Sequence, residues 1–152
     1  LARVDPALEL GRPAAPEADE PARVAEASAR LGLKHVVITS VDRDDLPNGG
    51  AEAFAGCITE IRARLPETTV EVLIPDFKGS ERALQLVMDA RPDILNHNLE
   101  TAERLYRLAR PGGRYERALA LLASAREAHG TIHLKRVFSV FIRMTKARAS
   151  GK

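Results

Sequence analysis

The chain has 152 residues, 45% of them hydrophobic and 29% charged, and a net charge of +2. That is one domain's worth of ordinary globular composition, with material for a proper core and no apolar run near the roughly 20 residues a bilayer span needs. A single cysteine, Cys57, excludes an intrachain disulfide framework and a metal site built from cysteines alone. Leu1 to Leu10 carry Asp5 and Glu9 and lack a basic stretch followed by an apolar one, so no signal peptide is expected and the expected compartment is the cytoplasm.

In chain order, residues 1–19 predict an irregular segment, because Gly11-Arg12-Pro13 and Pro16 interrupt any helix. A first helix is expected from Glu20-Pro21, with proline in the first turn, to Leu31, stopped by Gly32. Val24, Ala27 and Leu31 are its expected buried face. His35 to Thr39 reads as a buried parallel strand. A second helix follows from about Gly50 to Leu65, with Phe54, Cys57, Ile58, Ile61 and Leu65 on one stripe. Cys57 on that stripe reads as a core residue rather than a reactive or iron-binding thiol.

Thr69 to Ile74 is the second expected strand. The third helix is capped by Ser80 and presents Ala83, Leu84, Leu86, Val87 and Met88 before Arg91-Pro92. Ile94 to Asn96 is the third strand. Helices over Thr101–Ala109 and Tyr115–His129 flank a Pro111-Gly112-Gly113 turn, and Val137 to Ile142 forms a last apolar run. From Thr131 to Lys152 there are six basic residues and no acidic one, leaving 17 Lys and Arg against all 21 Asp and Glu over the first 130. Residues 131–152 thus read as a divergent basic tail, solvated rather than built for nucleic acid, since no aromatic motif interleaves the charges beyond Phe138 and Phe141.

Strand and helix alternate in the rhythm of βαβ units, and no glycine-rich phosphate loop follows the first strand. A (β/α) barrel, with chemistry at the strand carboxyl ends, fits better than an open doubly wound sheet. Three or four strands cannot close a barrel, so residues 20–130 predict an α/β arc of parallel strands with flanking helices. The strand ends carry the candidate site: Thr39, Ser40 and Asp42 after the first, Asp76 after the second, Asn96, His97, Asn98 and Glu100 after the third. Thr39, Ser40 and Asp42 read equally as a Ser/Asp cap with Arg43 paired to its acidic neighbours. Paired amides suit ribose hydroxyls and base edges.

The segments Val37-Ile38-Thr39-Ser40-Val41-Asp42-Arg43-Asp44-Asp45-Leu46-Pro47-Asn48-Gly49-Gly50, Glu71-Val72-Leu73-Ile74-Pro75-Asp76-Phe77-Lys78-Gly79 and Asn96-His97-Asn98-Leu99-Glu100-Thr101 resemble successive motifs of lipoyl synthase. The likeness spans about residues 11 to 130 and includes Gly11-Arg12-Pro13 and Asp19-Glu20-Pro21. It implies a partial radical-SAM barrel and a sulfurtransferase that inserts two sulfur atoms into a protein-bound octanoyl chain. The implied cofactors are S-adenosylmethionine and two iron–sulfur (4Fe-4S) clusters, one to cleave the S-adenosylmethionine and one to supply sulfur. The implied partners are an octanoylated lipoyl-carrier domain or glycine-cleavage H protein. Thr39, Ser40, Asp42, Asn96, Asn98 and Glu100 are the implied S-adenosylmethionine pocket, with no catalytic side chain assigned.

The chain departs from the family at both ends. The family's Cys-x3-Cys-x2-Cys loop would place its second and third cysteines at Arg3 and Pro6, and neither side chain ligates iron. After Gly130 the sequence Thr131-Ile132-His133-Leu134-Lys135-Arg136 replaces the family's glycine-rich strand and loop, so both ends read as truncated, frameshifted or divergent, and the chain as an incomplete, inactive fragment. Two alternatives stand beside the resemblance. Asp42, Asp44, Asp76, His97 and Glu100 at neighbouring strand ends suit a divalent metal in a hydrolase-like barrel, and a non-catalytic barrel remnant needs no site at all.

Overall fold

The structure, a computed structural model, describes residues 13–109 and 111–128 and the backbone of 133–137. The irregular opening segment up to residue 12, the end of the last expected helix at His129 and the expected strand beyond Val137 lie outside the described residues. Helices α1 (Glu20–Arg30), α2 (Ala51–Arg64), α3 (Glu81–Asp89), α4 (Glu103–Ala109) and α5 (Tyr115–Ala128) accompany strands β1 (His35–Thr39), β2 (Thr69–Leu73), β3 (Ile94–Asn98) and β4 (His133–Val137). The four strands are parallel and lie side by side in chain order. This is the open α/β arc that the alternation predicts.

Alternation along the strands sorts the two faces. Val36, Val70, Val72 and Leu95 are buried with the helix residues Phe54, Ile58, Ile61, Val87 and Met88 in one core. Burying each large apolar side chain in it contributes about 1.5–3 kcal/mol. On the opposite face Val37 is 58% exposed, and Glu71 stands in mid-strand bound to His35 on β1 and Asn96 on β3. Polar links fasten the start of the sheet. The Thr68 hydroxyl donates to the Leu33 carbonyl at 2.9 Å, and the Asp93 carboxylate accepts from the Val70 amide at 2.8 Å and from Arg62 at 2.8 Å.

Helix boundaries follow the expected caps: Pro21 stands in the first turn of α1, and the Ser80 hydroxyl accepts from the Ala83 amide. The buried stripe of α1 differs from expectation. Ala25 and Ser28 are buried, whereas Ala27 is exposed and Leu31 is 72% exposed. α1 packs against α2, and where its first turn meets that helix a Cβ on Gly56 would sit 3.0 Å from the Pro21 ring. Ser28 fits because its hydroxyl donates back to the Val24 carbonyl at 2.8 Å.

Three strand limits also differ, the first being the end of β2 at Leu73, one residue before the expected Ile74. β3 runs to Asn98, two residues past its expected end, because Asn96, His97 and Asn98 continue the ladder with Lys135, Arg136 and Val137. The segment expected to open a solvated tail thereby supplies β4, a strand placed before the expected run from Val137 to Ile142.

Candidate functional site

The strand carboxyl ends converge on one rim. At the end of β1 the Thr39 hydroxyl donates to the Leu73 carbonyl at 3.2 Å, tying it to the end of β2, and Ser40 donates to the Val41 carbonyl at 2.9 Å. The loop beyond is held by a bidentate pair, with Arg43 donating to the two Asp45 oxygens at 2.9 and 2.8 Å. That pairing draws the Asp45 carboxyl below the usual carboxylate range and raises the Arg43 guanidinium. Gly49 and Gly50 then turn the chain into α2 at φ of +61° and +85°, where side chains are strained.

The loop after β2 is a left-handed turn. Phe77, Lys78 and Gly79 have φ of 47°, 54° and 82°, and the Asp76 carboxylate steadies them by accepting the Lys78 amide at 2.9 Å. The other Asp76 oxygen meets Arg117 of α5 at 3.1 Å, and Lys78 reaches back to the Asp44 carboxylate at 3.4 Å. A bulky residue such as Phe77 at positive φ is an outlier that the surroundings must hold in place. Burial does so, through edge-on contact with Phe54 at 6.3 Å between ring centres.

A cleft of about 270 Å³ opens among these loops, lined by Thr39, Ser40, Asp42, Asn98 and Glu100 over a floor that includes Leu73, Ile74 and Pro75. Five of the six expected pocket residues therefore share one cleft. Asn96 does not line it. With β3 extended, Asn96 sits one pleat lower, its amide donating to Glu71. Glu71 escaped the sequence reading, although a carboxylate in the middle of Val70-Glu71-Val72-Leu73-Ile74 is itself the signal of an occupied interior face.

His97 lines the cleft, and its Nδ1 donates to the Ile74 carbonyl at 2.8 Å; a carbonyl only accepts, so the proton is on Nδ1. The Asn98 Oδ1 is buried with no hydrogen-bond partner among the described residues. Of the acids of the metal alternative, Glu100 lines this cleft, Asp44 and Asp76 line a neighbouring one of about 630 Å³ and are paired to Lys78 and Arg117, and Asp42 lines both. No three His, Cys, Asp or Glu side chains converge as a metal-holding group among the described residues.

The family model described as the Radical SAM superfamily matches residues 7–144, beyond both limits of the likeness read from the motifs. The chain belongs to the radical SAM superfamily. It is 50% identical over 138 residues to the lipoyl synthase of Serratia proteamaculans (strain 568), covering 90% of this chain and 43% of that protein. To the lipoyl synthase of Oleidesulfovibrio alaskensis (strain ATCC BAA-1058 / DSM 17464 / G20) it is 58% identical over 125 residues, 82% of this chain and 43% of the relative. To that of Aliivibrio fischeri (strain ATCC 700601 / ES114) it is 54% identical over 126 residues, 82% of this chain and 39% of the relative. The chain thus spans about two fifths of the length of the curated relatives it matches. By resemblance it is an enzyme chain of this superfamily, and no helix among the described residues is long and apolar enough to cross a membrane.

Membership implies S-adenosylmethionine and iron–sulfur clusters. The strand-end cleft fits the first, because the unpartnered Asn98 oxygen calls for a donor, and Asp42, Glu100 and the two hydroxyls surround it with further polar groups. The chain does not fit the second. Cys57, its one thiol, is buried on α2, and burial pushes the thiol up to about 11, away from the thiolate that iron requires.

Proposed function

We propose that the strand-end cleft binds S-adenosylmethionine and that the chain is part of a lipoyl synthase acting in the cytoplasm. Such an enzyme inserts two sulfur atoms into an octanoyl chain held on a lysine of a lipoyl-carrier domain or glycine-cleavage H protein. The observation that carries the reading is the buried, unpartnered Asn98 oxygen in a cleft shared with Thr39, Ser40, Asp42 and Glu100. Asn98 and Glu100 would accept from ribose hydroxyls and Asp42 would take the ammonium, while the Thr39 and Ser40 hydroxyls would turn from the Leu73 and Val41 carbonyls to donate to the carboxylate. When bound, S-adenosylmethionine would supply a one-electron-cleavable sulfonium. Leu73, Ile74 and Pro75 give the cleft an apolar wall.

Titration calorimetry of the full chain with S-adenosylmethionine tests the pocket. Saturable binding weakened at least about tenfold by Asp42→Asn supports it, since a lost charged hydrogen bond is worth about 1.5–3 kcal/mol. Absence of binding at millimolar ligand sinks it.

We further propose that this chain alone assembles no cluster and makes no lipoyl groups, because Cys57 is its only thiol. Anaerobic treatment with iron and sulfide should leave no stoichiometric charge-transfer absorption. A stoichiometric cluster lost on Cys57→Ala would overturn this.

A further inference from the structure

The strand-end cleft continues outward. Asp42 lines both it and the adjoining cleft of about 630 Å³, and Pro111, Gly112 and Gly113 line both that one and a third, of about 1000 Å³, between α4 and α5. Shared lining residues set the three clefts side by side, a furrow running from the strand ends to the turn between α4 and α5. Its middle stretch is walled by the ion pairs Asp44–Lys78 and Asp76–Arg117. Such walls suit amide groups and charged side chains.

The outer stretch is basic. Three arginines line it against two glutamates. Arg104, Arg107 and Arg114 line the outer cleft with Glu103 and Glu116, are exposed, and have no ion-pair partner among the described residues. Behind them the Tyr106 and Tyr115 rings pack edge-on at 5.5 Å between centres, giving the arginines a fixed wall. Leu108, 80% exposed, lies one turn of α4 from Arg104 and offers an apolar anchor beside the charges.

We infer that this furrow is a docking surface for an acidic polypeptide segment, the loop of the substrate protein that presents the modified lysine to the strand-end cleft, an inference that rests on the reading above. Unpaired arginines at the mouth steer the negative segment. The ion-paired middle stretch takes its backbone, and the lysine side chain runs on past Asp42.

Fluorescence anisotropy with the full chain tests this, using a short octanoyl-lysyl peptide flanked by Asp and Glu, the same peptide with those acids replaced by their amides, and the acidic peptide without the octanoyl group. The acidic peptides should bind at least roughly tenfold tighter than the amide version at low salt, and Arg104→Glu with Arg107→Glu should erase that difference while leaving S-adenosylmethionine binding unchanged. Arg114→Ala, a smaller change, should narrow it. Equal affinity for acidic and amide peptides, or an unchanged preference in the arginine variants, overturns the docking surface. So does a duplex oligonucleotide that binds the same arginines more tightly than the acidic peptide. An acidic preference that depends on the arginines but is indifferent to the octanoyl group upholds docking and refutes the lipoyl reading; the converse pattern refutes docking alone.

Discussion

The Phe77 ring lies against Gly49 so closely that a Cβ on the glycine would stand 3.0 Å from Cδ1 of the ring. The contact joins the loop after β1 to the loop after β2, and both partners hold positive φ, +61° and 47°. Gly49→Ala adds a steric clash to backbone strain, and should destabilise the fold by about 1–3 kcal/mol in a urea titration. Phe77→Leu, which leaves room above Gly49, should recover part of the loss in the double variant. Additive effects would show that the two loops are not coupled through this contact.

Asn98 offers a second test. Its buried oxygen lacks a partner among the described residues, an arrangement that costs about 1–3 kcal/mol when nothing fills the cleft. Asn98→Leu should therefore leave the melting temperature unchanged or higher while weakening S-adenosylmethionine binding at least about tenfold. A variant that is less stable and binds normally would assign Asn98 a role in holding the fold.

The Arg43–Asp45 pair has a pH signature. Hydrogen bonding and charge from Arg43 lower the Asp45 carboxyl, so the pair's contribution is present above the ordinary carboxylate range and fades as pH falls through the lowered value. An NMR titration should place Asp45 below an ordinary aspartate, and Arg43→Met should return it to that range. The stability change should be small, because Asp45 is exposed.

Cys57 should be inert to a disulfide reagent at mildly alkaline pH and react only as the chain unfolds, since burial keeps it protonated up to about 11. Folding favours the neutral thiol, so its contribution holds below the unfolded thiol's range and is lost as pH rises through about 11. Fast stoichiometric labelling of the folded protein would contradict its placement in the core.

Periodicity exposed the parallel arc because each strand is a short apolar run and each helix has a cap, as with Ser80 before α3. Periodicity misplaced the face of α1, because it ranks positions by hydrophobicity, whereas the buried ones are Ala25 and Ser28, whose hydroxyl is satisfied by the Val24 carbonyl. The strand-end residues were legible as polar groups interrupting apolar runs. Asn96 was misplaced because nothing local says whether a polar residue ends a strand or lines its inner face; the pairing with Lys135, nearly forty residues away in sequence, decides it. Glu71 was overlooked for the same reason, its partners His35 and Asn96 being brought to it only by the register.

That register has a consequence for how the chain is made. Every described strand pairs only with the strand before it and the strand after it in sequence. As the chain leaves the ribosome, each strand can therefore add to an edge already formed, and none has to be threaded between two neighbours. Loop closure is confined to one crossover at a time, which keeps the entropic barrier of each addition low. The emerging sheet advances by one β–α unit per step, its growing edge always the most recently synthesised strand.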